Sequence, residues 1–288
     1  MTETKTYGSW PSPIHSTWLT QQSVRLGEPQ LGPNGCYWVE SRPQEKGRCV
    51  LMHKPLGEGS TAAEVLPTDI SVHSKAHEYG GASYLITDDR IFYVDASDQR
   101  IYCARNFDHS TSIEIKAITP KGNFRYADFC FDTKRQRLIA VREDHRRKNS
   151  GDATEESNAL VAVDISGNMD VELLVEGCDF YANPRLSPNQ QQLTWLCWKH
   201  PFMPWDSSEC QMGQVNDQGR IDTIITVAGG IGESIFQPQW SPDGDLYLVS
   251  DRNDWWNIYA VNLDQEQPNL VATITKKTYT HLRAHETL

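Results

Sequence analysis

The 288-residue sequence lacks any run of about 18 apolar residues, so no membrane-spanning helix is expected. It is also short of positive charge: 27 lysines and arginines face 38 aspartates and glutamates, a net charge of −11. Nucleic acid is therefore not an expected partner, because a phosphate backbone rewards Lys and Arg. The one basic cluster, Arg142 to Lys148, is interrupted by Glu143 and Asp144 and reads as a solvated hairpin tip. The seven cysteines are odd in number and include no Cys-x-x-Cys pair. Several sit in apolar runs, such as Cys197 within Leu193 to Trp198, and fit reduced, buried thiols in a cytoplasmic protein. No ligand pair stands at a convincing metal spacing, so no metal or cofactor is expected. The first residues, Met1 to Tyr7, lack the apolar core of a secretory signal. Long helical periodicity is missing as well.

What fills the chain is strand signal: short runs rich in Val, Ile, Tyr, Phe and Trp, bounded by Gly, Pro, Asn and Asp. One phrase recurs. Gln237-Pro238-Gln239-Trp240-Ser241-Pro242-Asp243-Gly244 leads into Leu246 to Asp251. Asn183-Pro184-Arg185-Leu186-Ser187-Pro188-Asn189 leads into Leu193 to Cys197. Pro with Asp or Asn prepares a tight turn, and Gly244 supplies a position free of Cβ strain. The alternation that follows each turn predicts a half-buried strand.

Five such units can be counted, starting near Pro29, Tyr79, Tyr126, Asn183 and Gln237. Units of about 45 to 55 residues with four strands match β-propeller blades. A sandwich would also give regularly spaced turns and is the alternative fold. The predicted class is all-β: a propeller of about five blades, each of four antiparallel strands, read as an incomplete seven-bladed ring. The expected organisation is an N-terminal segment over 1–28, blades over 29–272, and a poorly structured or incomplete tail over 273–288.

Five segments carry a resemblance to a known family. They are Tyr7 to Ile14; His77-Glu78-Tyr79-Gly80-Gly81; Arg142-Glu143-Asp144-His145 with Asn158 to Val161; Trp198 to Asp206; and Glu233 to Pro238. With these the chain resembles the N-terminal propeller of the prolyl oligopeptidase family of serine peptidases, especially dipeptidyl aminopeptidase and acylaminoacyl-peptidase-like members. The resemblance implies a non-catalytic propeller that gates access of short peptides to an α/β-hydrolase domain. That domain would be the cognate partner. A nucleophile elbow needs Gly-x-Ser-x-Gly before a helix. The candidates, Gly81-Ala82-Ser83 and Gly232-Glu233-Ser234, have no second glycine, so no catalytic residue is assigned. The chain reads as truncated before the hydrolase and inactive alone. The alternative is a stand-alone propeller binding a protein or peptide. Self-association through open strand edges is a further expectation.

Candidate residues for substrate access or a domain interface are His77, Glu78, Arg142, Glu143, His200, Trp205, Asp206 and Glu209. Each has a plainer alternative. Trp205 could anchor an ordered loop with Asp206 as a turn cap. His77 and Glu78 could satisfy backbone groups at a strand end, beside a bulge at the glycines. His73 and His77, read as extended, would lie about 13 Å apart, too far for one zinc. His281 and His285 fall in the polar tail. Of the Trp255-Trp256 pair, Trp256 is expected in the core and Trp255 partly exposed.

Overall fold

The computed structural model describes residues 4–12, 14–15, 23–107, 112–263 and 268–272. The tail from 273, with His281 and His285, lies outside the described residues. Among the described residues, twenty strands form five four-stranded antiparallel sheets, each a meander in chain order. These are the five predicted blades.

The chain divides into two compact units, Met1–Ser71 and Val72–Leu288. The first holds one blade: β1(Arg25–Gly32), β2(Gly35–Arg42), β3(Arg48–Pro55) and β4(Ala63–Glu64). Its first strand begins before the boundary expected at residue 29. Tyr37 and Val39 on β2 point inward, alternating with half-buried Trp38 and Glu40, as period-2 geometry requires. Arg42 and Arg48 bind Glu45 and Glu64 between them, and Arg42 also holds Glu40.

The second unit holds four blades. Blade 2 is β5(Tyr84–Ile86), β6(Ile91–Val94), β7(Ile101–Arg105) and β8(Glu114–Ala117). Blade 3 is β9(Phe124–Asp132), β10(Arg137–Asp144), β11(Ser157–Asp164) and β12(Val171–Val175). Blade 4 is β13(Phe180–Leu186), β14(Gln192–Trp198), β15(Ser208–Val215) and β16(Ile221–Gly230). Blade 5 is β17(Ile235–Trp240), β18(Leu246–Ser250), β19(Asn257–Asn262) and β20(Asn269–Ala272). A short helix, α1(Arg146–Ser150), follows β10. The repeated Ser-Pro phrases form the predicted turns. Ser241 O accepts the Gly244 N–H at 3.1 Å, and Gly244 takes φ +96°.

Half-buried alternation holds for β2 and β18 but not for β10 and β14. Leu138 and Ala140 of β10 pack with Phe92, Ile101 and Phe129 in the core between blades 2 and 3. Ile139 and Val141 of the same strand pack with Tyr181, Leu193 and Trp195 between blades 3 and 4. Leu196 and Cys210 join Leu248 and Tyr259 between blades 4 and 5. β10 and β14 are thus covered on both faces, which is why their sequences are nearly continuous apolar runs. This is also why one blade alone cannot bury its core.

The first strands β5, β9, β13 and β17 neighbour one another in sequence order. Three of them carry the same irregularity, a bulge at a non-glycine residue with positive φ: Asp128 (53°), Asn183 (49°) and Gln237 (48°). Asp128 turns its bulge into a tie between blades. Its carboxylate accepts the Ala82 N–H at 2.7 Å and the Asn183 N–H at 2.9 Å, and it is nearly buried. Asp128→Ala leaves two buried N–H groups without an acceptor and is expected to cost about 2–4 kcal/mol. Chemical denaturation checks this, and Asp128→Asn, which keeps one acceptor, should lose less.

Candidate functional site

One end of the second unit gathers the starts of β9, β13 and β17 with the ends of β10, β14 and β18. The connecting loops there carry most of the candidate residues. At its centre is Glu143, fully buried at 0% exposure. Its Oε2 accepts the His77 backbone N–H at 2.7 Å, and His77 Nδ1 lies 3.5 Å away. Its Oε1 is bonded by His145 Nε2 and approached by an Arg125 guanidinium nitrogen at 3.3 Å. The same Arg125 nitrogen donates to Glu78 Oε1 at 2.7 Å and to Lys75 O at 2.9 Å. Burial alone would raise the Glu143 carboxyl, but the hydrogen bonds from His77 and His145 outweigh it and hold the group down at about 2.

The solvated hairpin expected over Arg142 to His145 is therefore corrected. Glu143, Asp144 and His145 are each buried to 8% exposure or less, and Arg142 to Asp144 belong to β10. A carboxylate can lie this deep because cationic and polar donors from three segments converge on it. Only the part from Arg146 onward, which forms α1, is solvated.

His77 and Glu78 sit on a turn, not on the extended segment first expected, with φ of 56° and 65°. Gly80 closes the turn: its N–H reaches Ala76 O at 2.7 Å, and a Cβ there would meet Ser74 O at 2.9 Å. His77 Nε2 donates to Tyr181 O at 3.1 Å. Its ring lies 5.3 Å from Phe180 and 5.9 Å from Trp198, edge to face. Phe180 stacks on Trp198 and meets the His200 ring at 5.0 Å. His200 N–H donates to Asp179 Oδ2 at 2.8 Å.

The structure thus brings His77, Glu78, Glu143 and His200 into one network. Arg142, one residue from Glu143, instead faces the Phe124 ring at 5.4 Å. Asp206 closes its own loop by accepting the Met203 N–H at 3.1 Å. Trp205 is not a packing anchor: it is 62% exposed. Glu209 accepts from Gln211 and Thr226 within blade 4. Trp256, expected in the core, is 45% exposed, because the β18–β19 loop carries it outward. Arg125, Asp179 and Phe180 complete the network without having been singled out, as do His145 and Trp198, which were named only within the segments that carry the resemblance. Trp198 had the clearest signal, as the last apolar residue before a Pro-rich loop.

The network is a brace. It fixes the backbone of the 74–81 loop and leaves the Glu78 carboxylate and the Tyr79 ring outward. Tyr79, Trp205, Ile231, Phe236, Trp255 and Trp256 are exposed apolar groups on these loops and strand ends. Ser83 and Ser234 are 1% and 2% exposed and each leads into a strand, so neither has the geometry of an elbow nucleophile. Among the described residues no cluster of three His, Cys, Asp or Glu side chains is arranged to hold a metal, and no helix is long and apolar enough to cross a membrane.

No family model matches the sequence, and no curated protein matches it. Solved structures do. A puromycin-hydrolysing peptidase of Mycobacterium tuberculosis superposes with TM-score 0.80 at 33% identity, over 93% of this chain and 42% of that one. A puromycin hydrolase superposes with TM-score 0.81 at 28% identity over the same shares. A prolyl endopeptidase matches at TM-score 0.58 and 9% identity, which shows the fold alone. The chain spans about 42% of the length of the puromycin-hydrolysing relatives it matches. The five blades of this chain are thus similar to the N-terminal propeller regions of puromycin hydrolase-type peptidases of the prolyl oligopeptidase family.

Proposed function

We propose that this chain is the non-catalytic propeller of a serine peptidase of this family, shaping the access of short peptides and aminoacyl amides to an α/β-hydrolase domain. The observation that carries the reading is the match to a puromycin-hydrolysing peptidase at 33% identity over 93% of this chain. The loop face built around Glu143 supports it. A buried ionic brace holds a turn whose outward groups are one carboxylate and several aromatic rings, a surface fitted to a polar, partly apolar partner.

A chimera tests the proposal. The part of the Mycobacterium tuberculosis peptidase that this chain matches is replaced by this chain. The expected chimera hydrolyses aminoacyl and dipeptidyl substrates and leaves full-length denatured proteins intact. A folded chimera that cleaves both at similar rates contradicts the gating role. Trp205→Ala in the chimera is expected to raise KM with kcat little changed, since Trp205 is exposed on the loop face proposed to meet the peptide and carries no reacting group itself.

A further inference from the structure

Two of the seven free cysteines stand apart from the rest. Cys178 lies in the 176–179 loop between β12 and β13, partly buried and flanked by exposed Gly177 and Asp179. Cys197 is buried in β14, directly across the ladder from Tyr181. The Tyr181 hydroxyl accepts the Cys178 N–H at 2.9 Å, which folds the loop back over its own strand. Cys178 packs against the core cluster that contains Cys197 and Tyr181. Cys178 and Cys197 thus both sit beside Tyr181 within one packed cluster.

We propose that Cys178 and Cys197 are an oxidation site, at which hydrogen peroxide converts these two thiols of one packed cluster into a disulfide that pins the 176–179 loop to β14. The roles follow from placement. Cys178 is the partner that solvent reaches, so it attacks first. Its sulfur takes one peroxide oxygen as the O–O bond breaks, giving a sulfenic acid and one water. Cys197, packed in the same cluster, attacks that sulfur; the S–O bond breaks and the Cys197 proton leaves with the hydroxide as a second water. Two thiols and one peroxide thus give one disulfide and two waters.

Electrostatics support the same order. Interaction with the Cys197 thiol, opposed by partial burial and aided by the Lys199 charge, brings the Cys178 thiol down to about 7. The Cys197 thiol is pushed up, as its contact with Cys178 and its burial dictate. Burial raises Cys103 and Cys130 and sends Cys210 to about 12, which disfavours their thiolates. Gly177, at φ +114° with open space around it, lets the loop close the last distance to sulfur–sulfur bonding. The pinned loop holds Asp179, the acceptor for His200, and leads into Phe180 of the aromatic network. Oxidation is therefore expected to stiffen the same face that the propeller presents.

The full chain is treated with hydrogen peroxide and mapped as peptides without reduction. The expected product joins Cys178 to Cys197 and is reversed by dithiothreitol. Cys197→Ser is expected to stop at a dimedone-reactive sulfenic acid on Cys178, and Cys178→Ser to leave Cys197 unmodified. Circular dichroism checks that both variants are folded, and the wild-type map stands without them. A disulfide from Cys197 to Cys210, oxidation spread over all seven thiols, or two free thiols after peroxide would each overturn the proposal. Slowed amide exchange at 176–180 in the oxidised chain is the expected structural readout; unchanged exchange overturns the pinning.

Discussion

Glu143→Ala is expected to lower the stability of the second unit by about 3–5 kcal/mol, the scale of breaking a buried ion pair by removing one partner. The carboxylate is fully buried and serves the His77 N–H, the His145 ring and the Arg125 guanidinium together. Alanine leaves all three facing an apolar gap. In a unit of this size each kcal/mol moves the midpoint by about 2–4 °C, so a fall of roughly 6–20 °C is expected in a thermal melt. Glu143→Gln keeps the shape and one acceptor and should fall less. A loss within about 0.5 kcal/mol, the range of an ordinary surface substitution, would return the residue to the solvated role its neighbours in sequence suggest.

The same carboxylate sets a pH dependence. Its folded value, about 2, lies below the ordinary glutamate value. A depressed carboxyl stabilises the fold at pH above its unfolded value of about 4.3, and that contribution is lost as pH falls through the folded value. Wild type should therefore lose stability more steeply than Glu143→Gln between roughly pH 5 and pH 2. Parallel acid titrations of the two would contradict the assignment.

The second large effect is expected at Gly229, near the end of β16. It takes φ +91°, and a Cβ built there would sit 2.1 Å from Ser208 O and 2.9 Å from the Ile235 side chain. Ser208 O belongs to the paired strand β15, and Ile235 begins blade 5, so neither can retreat without opening a ladder or a core. Positive φ for a residue with a Cβ adds strain of about 1–3 kcal/mol, before the clash is counted. Gly229→Ala is expected to cost about 3 kcal/mol or more, measured by urea unfolding, the range of core overpacking plus backbone strain. Gly230 is a matched control: a Cβ there meets nothing within 4 Å, so only its φ of +132° weighs against substitution. Equal losses at the two sites would rule out the backbone clash as the cause.

These two positions show where the sequence was and was not legible. The blades could be read because each turn is local: Ser241 to Gly244 closes on itself within four residues. The Gly229 constraint is invisible locally, since its clash partner lies 21 residues away on another strand. Glu143 was misread for the same reason. Its neighbours Arg142 and Asp144 suggest a wet hairpin, while its main partner, the His77 N–H, arrives from 66 residues earlier. Trp256 failed in the opposite direction, because an aromatic beside a strand looks like core until the loop is seen to carry it outward. The bulges at Asn183 and Gln237 were hidden as well. Both precede proline, which ordinarily favours extended backbone, yet both take positive φ where first strands pair across a bulge. The candidate site was legible as a set of loops, and its network emerged only when the starts of β9 and β13 met the end of β10.

The most direct test is turnover by the chain itself. Purified chain is incubated with aminoacyl and dipeptidyl chromogenic substrates, with and without a serine-directed phosphonate. The expected result is no release of chromophore and no covalent label on the chain. Turnover that the phosphonate abolishes, with the label on a serine of this chain, would contradict a non-catalytic propeller.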